Sequence, residues 1–273
     1  MENNIHRTAL VDKEAKIGSN VAIGPYSVIE AGTEIGDNCV IGPHVTIFGC
    51  VRLGSESKVH AGAVLGDLPQ DMAHDGSASF VEIGSNCVIR EGVTIHRGTR
   101  EGSVTRVGAN CFLMALSHLA HDVQLDEGVI LGNAVLLAGY AKIGKKVFAS
   151  GNSMVHQFVS IGRNAMLGGG CAVSKDVPPF VTMRPAAFNA VAGLNVIGMR
   201  RAGMDAAARL EVKRAMKLLY HSGLNRDDAV AAIRAELSTD EALAVADFAE
   251  NSSRGLCGWH LGGKAAGEHE ESD

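Results

Sequence analysis

Residues 11–65 read VDKEAKIGSNVAIGPYSVIEAGTEIGDNCVIGPHVTIFGCVRLGSESKVHAGAVL. An aliphatic side chain recurs at every sixth position: Val11, Ile17, Ile23, Ile29, Ile35, Ile41, Ile47, Leu53, Val59 and Leu65. Glycine often follows, as at Gly18, Gly24, Gly36, Gly42 and Gly54, and four residues after each aliphatic stands something small or β-branched, such as Val21, Ser27, Thr33, Cys39 or Ala63. This is the hexapeptide repeat of a parallel β-helix, in which three repeats make an 18-residue coil of triangular cross-section. The aliphatic is expected to fill the interior, the small residue to fit beside it near the corner, and glycine to permit the tight turn.

Outward from that stretch, the row resumes at Ile83, Ile89 and Ile95 and runs from Val107 to Val173. The two interruptions, Gly66 to Phe80 and about Arg100 to Arg106, are expected to be loops ejected from the coil, where ligands are usually met. The repeat ends at Asp176-Val177-Pro178-Pro179. Beyond a connector, helices are expected over Asp205 to Ser222, Asn225 to Leu237 and Thr239 to Asn251. Gly223 is placed to stop the first, Asn225 to cap the second, and Ser238 with Glu241 to form a capping box on the third. The expected organisation is a β-helix at 1–190, a helical domain at 191–257 and a polar, Gly-rich tail at 258–273 without order.

Composition agrees with a repeat protein: aromatics are 4% of the chain while glycine numbers 33. The formal charge of −5 argues against a general nucleic-acid binder. No apolar run has the length of a membrane span and Met1 to Lys16 is too charged for a signal peptide, so a cytoplasmic protein is expected. Cys39, Cys87, Cys111 and Cys171 fall in the small slot of the repeat and read as core filler. With no C-x-x-C pairing, neither a zinc site nor disulfides are expected.

Histidines are the candidates for chemistry, and the repeat places them. Residues 18 apart stack on adjacent coils about 4.8 Å apart, so His121 stacks with Gly139 and then Gln157, and Asp122 with Tyr140. As the third residue of its hexapeptide, counting from Leu119, His121 should project outward, toward solvent or a neighbouring subunit.

Four ordered motifs add specificity: Thr94-Ile95-His96-Arg97-Gly98-Thr99, Leu116-Ser117-His118-Leu119-Ala120-His121-Asp122, Leu137-Ala138-Gly139 and Val155-His156-Gln157-Phe158. Together they resemble the UDP-N-acetylglucosamine 3-O-acyltransferase family, which begins lipid A synthesis. Val177-Pro178-Pro179, the segment Asn195 to Arg201 and Ser253-Arg254-Gly255-Leu256 extend the resemblance over about residues 6–256. It implies left-handed coiling, a homotrimer with the active cleft between neighbours, and transfer of an acyl group from acyl carrier protein to UDP-N-acetylglucosamine. The phosphopantetheine arrives on the carrier protein, and neither a cofactor nor a metal is implied.

The resemblance makes His121 the general base on the sugar 3-hydroxyl, Asp122 its orienting group and the Gly139 N–H the oxyanion donor. It places Asp71, His96, His118, Tyr140, His156, Gln157, Asn195 and Arg201 around the substrates. Gly169 is implied as the residue that sets acyl length, left open here for a long 3-hydroxyacyl chain. Three positions depart from the family: Ala73, followed by His74, replaces a Lys; Tyr140 replaces a His; Ser117 replaces an Asn. The acceptor's 3-hydroxyl or 3-amino identity therefore stays open. On the first long C-terminal helix Arg209, Lys213 and Lys217 form an i, i+4, i+8 stripe with Arg200 nearby, a dock for the acidic carrier protein.

Rival readings use the same scaffold. An N-acyltransferase of the same pathway carries a uridine-binding domain before its repeat, which here begins by Val11; an acetyltransferase would use acetyl-CoA. A γ-class carbonic anhydrase needs three zinc-bound histidines across subunits, for which His118 and His121 are the nearest pair. A non-catalytic ice-binding helix would show an exposed Thr row, which is absent.

Overall fold

In a computed structural model that describes residues 2–185 and 188–260, the hexapeptides close into a left-handed parallel β-helix followed by a helical segment. Among the described residues the strands form three sheets of twelve, nine and eight strands. The first face starts at Asn4–Ile5, the second at Leu10–Val11 and the third at Lys16–Ile17. Each strand pairs in parallel with one a coil away, as Val28 with Thr46 and His118 with Leu136. The every-sixth aliphatics are the core: Ile23, Ile29, Ile41, Ile47, Leu65, Ile89 and Leu131 are all 2% exposed or less. Sequestering such side chains contributes roughly 1.5–3 kcal/mol each.

The small slot is polar at several levels, and several of these polar groups find a partner inside. Ser27 donates to the Gly42 carbonyl (2.7 Å), Thr33 to that of Phe48 (3.1 Å) and Cys39 to that of Gly54 (3.3 Å). Burial without such bonds would cost about 1–3 kcal/mol per group. The described cysteines are free thiols, with Cys39, Cys87, Cys111 and Cys171 buried in this slot.

The role of the repeated glycine is corrected by the backbone. Gly18, Gly54 and Gly108 do not adopt positive φ. A methyl group at Gly54 would lie 2.5 Å from Ser85 N, and one at Gly108 2.6 Å from the Asp126 carbonyl carbon, so glycine is required by the close approach of the next coil. The left-handed turn falls two residues later, at Asn20, Asn38, Asn86 and Asn110, and also at Asp122 and Tyr140 (both φ 60°). Asparagine and aspartate tolerate that region because their short side chains bond locally; a tyrosine there is unusual.

The ejected loops are shorter than the broken periodicity suggested. Val64–Asp67 and Phe80–Ile83 are strands on either side of the first, and Val104–Val107 is a strand that takes in the end of the second. Arg97 N donates to Asp67 O (3.1 Å) and Gly102 N to Ala78 O (2.7 Å), which clamps the two loops together.

Past the coils, Val181–Met183 pairs antiparallel with Ala190–Leu194. Helix α1 (Val196–Arg201) follows, capped by Asn195, then α2 (Ala206–His221), α3 (Arg226–Glu236) and α4 (Asp240–Glu250). The α4 cap is Thr239, not Ser238: Thr239 Oγ1 accepts from Ala242 N, and the Ser238 and Thr239 N–H groups both donate to the Glu211 carboxylate. The expected tail begins as structure, since Gly258–Trp259 adds a parallel strand beside Ala190–Val191; the rest of it, 261–273, lies outside the described residues. Fully buried Asp176 ties this end to the β-helix by accepting from Ser160 N (2.7 Å), Ser252 Oγ (2.7 Å) and Arg254 N (3.1 Å). Among the described residues no helix is long and apolar enough to cross a membrane.

Candidate active site

The second face and the corner that follows it bring the motif histidines together. Thr94–His96, His118–Leu119, Leu136–Leu137, Met154–Val155 and Ala172–Val173 are consecutive strands of that face. In each, the aliphatic points inward, which leaves Thr94, His118, Leu136 and Met154 on the outside. At the corner stand His121, Gly139 and Gln157, one above another. A cleft of about 520 Å³ opens here, lined by His118, His121, Gly139, His156 and Gln157, with Gln70 from the first loop. Its apolar wall includes Leu136, Met154 and Phe188.

The His121 ring packs against Gly139. A Cβ at Gly139 would sit 2.4 Å from its Cε1 and 2.5 Å from Nε2, so only glycine leaves the ring room. The Gly139 carbonyl accepts from Phe158 N (3.0 Å), while its own N–H donates to no group among the described residues. On the other side, His121 Nδ1 lies 3.1 Å from Asp122 Oδ2. That carboxylate is buried and also accepts from Thr99 N (3.1 Å) and Thr99 Oγ1 (2.8 Å), while Asp122 N donates to Thr105 Oγ1 (2.8 Å). An ionised carboxylate only accepts, so it holds the proton on Nδ1 and leaves the Nε2 lone pair toward the cleft.

His118 and His96 pack edge to face with ring centres 4.9 Å apart, and His118 Nδ1 bonds Thr94 Oγ1 at 2.7 Å. Burial, with smaller contributions from His96 and His121, pushes the His118 imidazole down to about 4. Burial likewise lowers His96, whose Nδ1 is enclosed without a partner among the described residues. Both rings are therefore neutral at pH 7, and His118 offers polarity without cationic charge to the cleft.

The other expected site residues are distributed more widely. Asp71 sits in the first loop with Oδ1 accepting from Ala73 N (2.9 Å), and its neighbour Gln70 reaches the cleft instead. His156 Nδ1 lies 3.1 Å from its neighbour's carbonyl, that of Gln157. Tyr140 turns away: its hydroxyl bonds Thr99 Oγ1 (2.7 Å), its ring stacks on Phe158 (4.8 Å, 6°), and it does not line the cleft. Asn195 and Arg201 border a different cavity of about 860 Å³ beside the first face, with Lys146 and Arg184. The Asn195 amide is already used, capping α1 at Gly198 N and donating to Asn164 O (both 2.9 Å).

Gly169 stands at the corner between the first and second faces, where a Cβ would meet nothing nearer than 3.6 Å. On the helices, Lys213, Lys217 and Arg200 are exposed, whereas Arg209 donates to the Met204 carbonyl. Thr99, Thr105, His74 and the apolar wall were not legible as site residues. Thr99 is inside a quoted motif, but the inserted loop breaks the 18-residue rule that would have placed it beside Asp122. Among the described residues no three His, Cys, Asp or Glu side chains group as ligands for a metal ion.

Comparison with known proteins identifies the family. The profile described as "Bacterial transferase hexapeptide (six repeats)" matches residues 14–49, and that described as "Udp N-acetylglucosamine O-acyltransferase; Domain 2" matches residues 176–257. An acyl-(acyl-carrier-protein)-UDP-N-acetylglucosamine O-acyltransferase from Halorhodospira halophila is 39% identical, over 92% of this chain and 98% of that one. The crystal structure of a UDP-N-acetylglucosamine acyltransferase from Bacteroides fragilis superimposes with a TM-score of 0.87 at 39% identity, covering 92% of this chain and 98% of that one. That of the Francisella novicida enzyme gives 0.89 at 35% identity, covering 92% and 93%.

A hexapeptide β-helix bearing a carboxylate-held imidazole over a glycine at one corner defines an acyltransferase of the hexapeptide class. Within that class, the similarity over nearly the whole length is decisive. The chain belongs to the acyl-(acyl-carrier-protein)-UDP-N-acetylglucosamine O-acyltransferase family.

Proposed function

We propose that this enzyme transfers a 3-hydroxyacyl chain from acyl carrier protein to the 3-hydroxyl of UDP-N-acetylglucosamine, the first step of lipid A biosynthesis, in the cytoplasm. The observation that carries this reading is the His121 ring, held by Asp122 at 3.1 Å and packed against Gly139, whose N–H has no partner among the described residues. His121 Nε2 takes the proton from the sugar hydroxyl as its oxygen attacks the thioester carbonyl. The resulting oxyanion is met by the Gly139 N–H. Collapse breaks the C–S bond, and the pantetheine sulfur leaves with the proton returned by the His121 imidazolium. A positioned base contributes about 10²–10⁴-fold and one oxyanion donor about 10²–10³-fold.

Neutral His118, with His156 and Gln157, forms the sugar-nucleotide side of the cleft, backed by His96 and by the first loop that carries Asp71. Asn195 and Arg201 lie in a separate cavity of the same chain. Their assignment to the substrates therefore goes with a homotrimer, in which a neighbour presents that cavity to the His121 cleft. Arg200, Lys213 and Lys217 supply the exposed positive charge that suits an acidic carrier protein. Gly169 leaves space at its corner for a long acyl chain. The catalytic groups named belong to the protein itself, and the pantetheine comes with the substrate.

The test is acyl transfer from 3-hydroxyacyl carrier proteins of several lengths to UDP-N-acetylglucosamine, wild type against His121→Ala. Loss of at least 10²-fold with assembly intact is expected. Undiminished transfer by His121→Ala would remove the base, and transfer by the wild type only to a 3-amino sugar nucleotide would change the acceptor.

A further inference from the structure

The family places Tyr140 against the substrate, but its hydroxyl points the other way. We infer that Tyr140 is a positioning residue, which acts on the base His121 through Thr99 and Asp122. The inference rests on the reading of His121 as the base.

The proton order along this chain is fixed by chemistry. Asp122 Oδ2 can only accept, and Thr99 Oγ1 lies 2.8 Å from it, so the single threonine hydroxyl proton is committed there. Thr99 Oγ1 then has only lone pairs for its second neighbour, the Tyr140 hydroxyl at 2.7 Å, which must donate. The relay runs from Tyr140 O–H to Thr99 Oγ1, on to Asp122 Oδ2, with His121 Nδ1–H donating to the same oxygen. Each donor polarises the next, so the tyrosine strengthens the threonine's hold on the carboxylate oxygen that orients the imidazole.

The surroundings hold the tyrosine to this task. Its backbone is left-handed (φ 60°), as at the equivalent turn positions Tyr26, Leu116 and Phe158, so the coil itself sets the direction in which the side chain leaves. Phe158 covers one face of the ring, and the His121 ring meets it edge to face at 5.2 Å. A residue of the first loop converges on the same threonine. His74, directly after Ala73, lies with Nδ1 3.1 Å from the Thr99 carbonyl and thereby pins the inserted loop that carries Thr99. Tyr140 and His74 thus meet at one residue, one coil below the base.

Tyr140→Phe removes the hydroxyl while keeping the ring between Phe158 and His121, so fold and cleft are retained. We expect kcat to fall about five- to tenfold, the value of one lost hydrogen bond, with KM for the sugar nucleotide unchanged. Thr99→Val should lower kcat at least as much, and Thr99→Ser should retain most of it. In the Thr99→Val background, adding Tyr140→Phe should have no further effect, because the relay is already cut. Additive effects, an unchanged kcat, or a raised KM at constant kcat would overturn the inference, the last assigning Tyr140 to substrate after all. Failure of the base reading shows separately, as transfer that survives His121→Ala.

Discussion

Replacing Gly139 by alanine tests the catalytic corner most sharply. The added methyl would lie 2.4 Å from His121 Cε1 and 2.5 Å from Nε2, against an ordinary carbon contact of about 3.5 Å. The ring must therefore retreat by about 1 Å, and it cannot do so without lengthening the 3.1 Å bond to Asp122 or tilting Nε2 out of the cleft. A displacement of that size costs on the order of 10²-fold in rate. Crowding of the oxyanion position beside the same N–H adds to the loss. Gly139 does not adopt positive φ, so alanine meets no backbone penalty and the β-helix should persist. Steady-state transfer should show kcat/KM down by about 10²–10³-fold, with a melting temperature near that of wild type. Gly258→Ala, where a methyl meets nothing within 4 Å, is the control and should behave as wild type. If Gly139→Ala retains activity within threefold, the ring is not confined by this glycine and the corner is not the reaction centre.

Two other outcomes can be measured directly. Because burial foremost holds His118 down to about 4 in the folded protein, the unfolded chain binds more protons between roughly pH 6.5 and 4. Stability attributable to its neutral form is present above pH 6.5 and is lost as pH falls toward 4, by up to about 3 kcal/mol. Denaturant unfolding of wild type should therefore weaken more steeply over that window than that of His118→Gln, and equal slopes would contradict it. Gly169→Met, at a corner with room for a side chain, should shift preference toward shorter acyl donors without reducing transfer of the shortest. An unchanged length profile would remove Gly169 from the acyl path.

The repeat was legible residue by residue because burial at a β-helix core is periodic: a side chain at every sixth position can only point into the same interior. That rule placed Ile23 through Val173 inside and stacked His121 on Gly139. It failed for the glycine, because the sequence carries no mark separating a turn that needs positive φ from a coil that approaches within 3 Å. It failed also at α4, where neighbouring Ser238 and Thr239 are equal candidates and Glu211 from α2 settles which one caps.

By itself, then, the sequence determined the β-helix, the helical end and the corner occupied by His121, since each follows from local spacing. Tertiary structure alone decided that Asp122 is held by Thr99 from an inserted loop, that Tyr140 faces that threonine rather than the cleft, and that Asn195 and Arg201 lie at another cavity. The physical reason is the same in each case. Insertions break the periodic register, and beyond the break a hydrogen bond depends on where two distant segments of backbone meet in space.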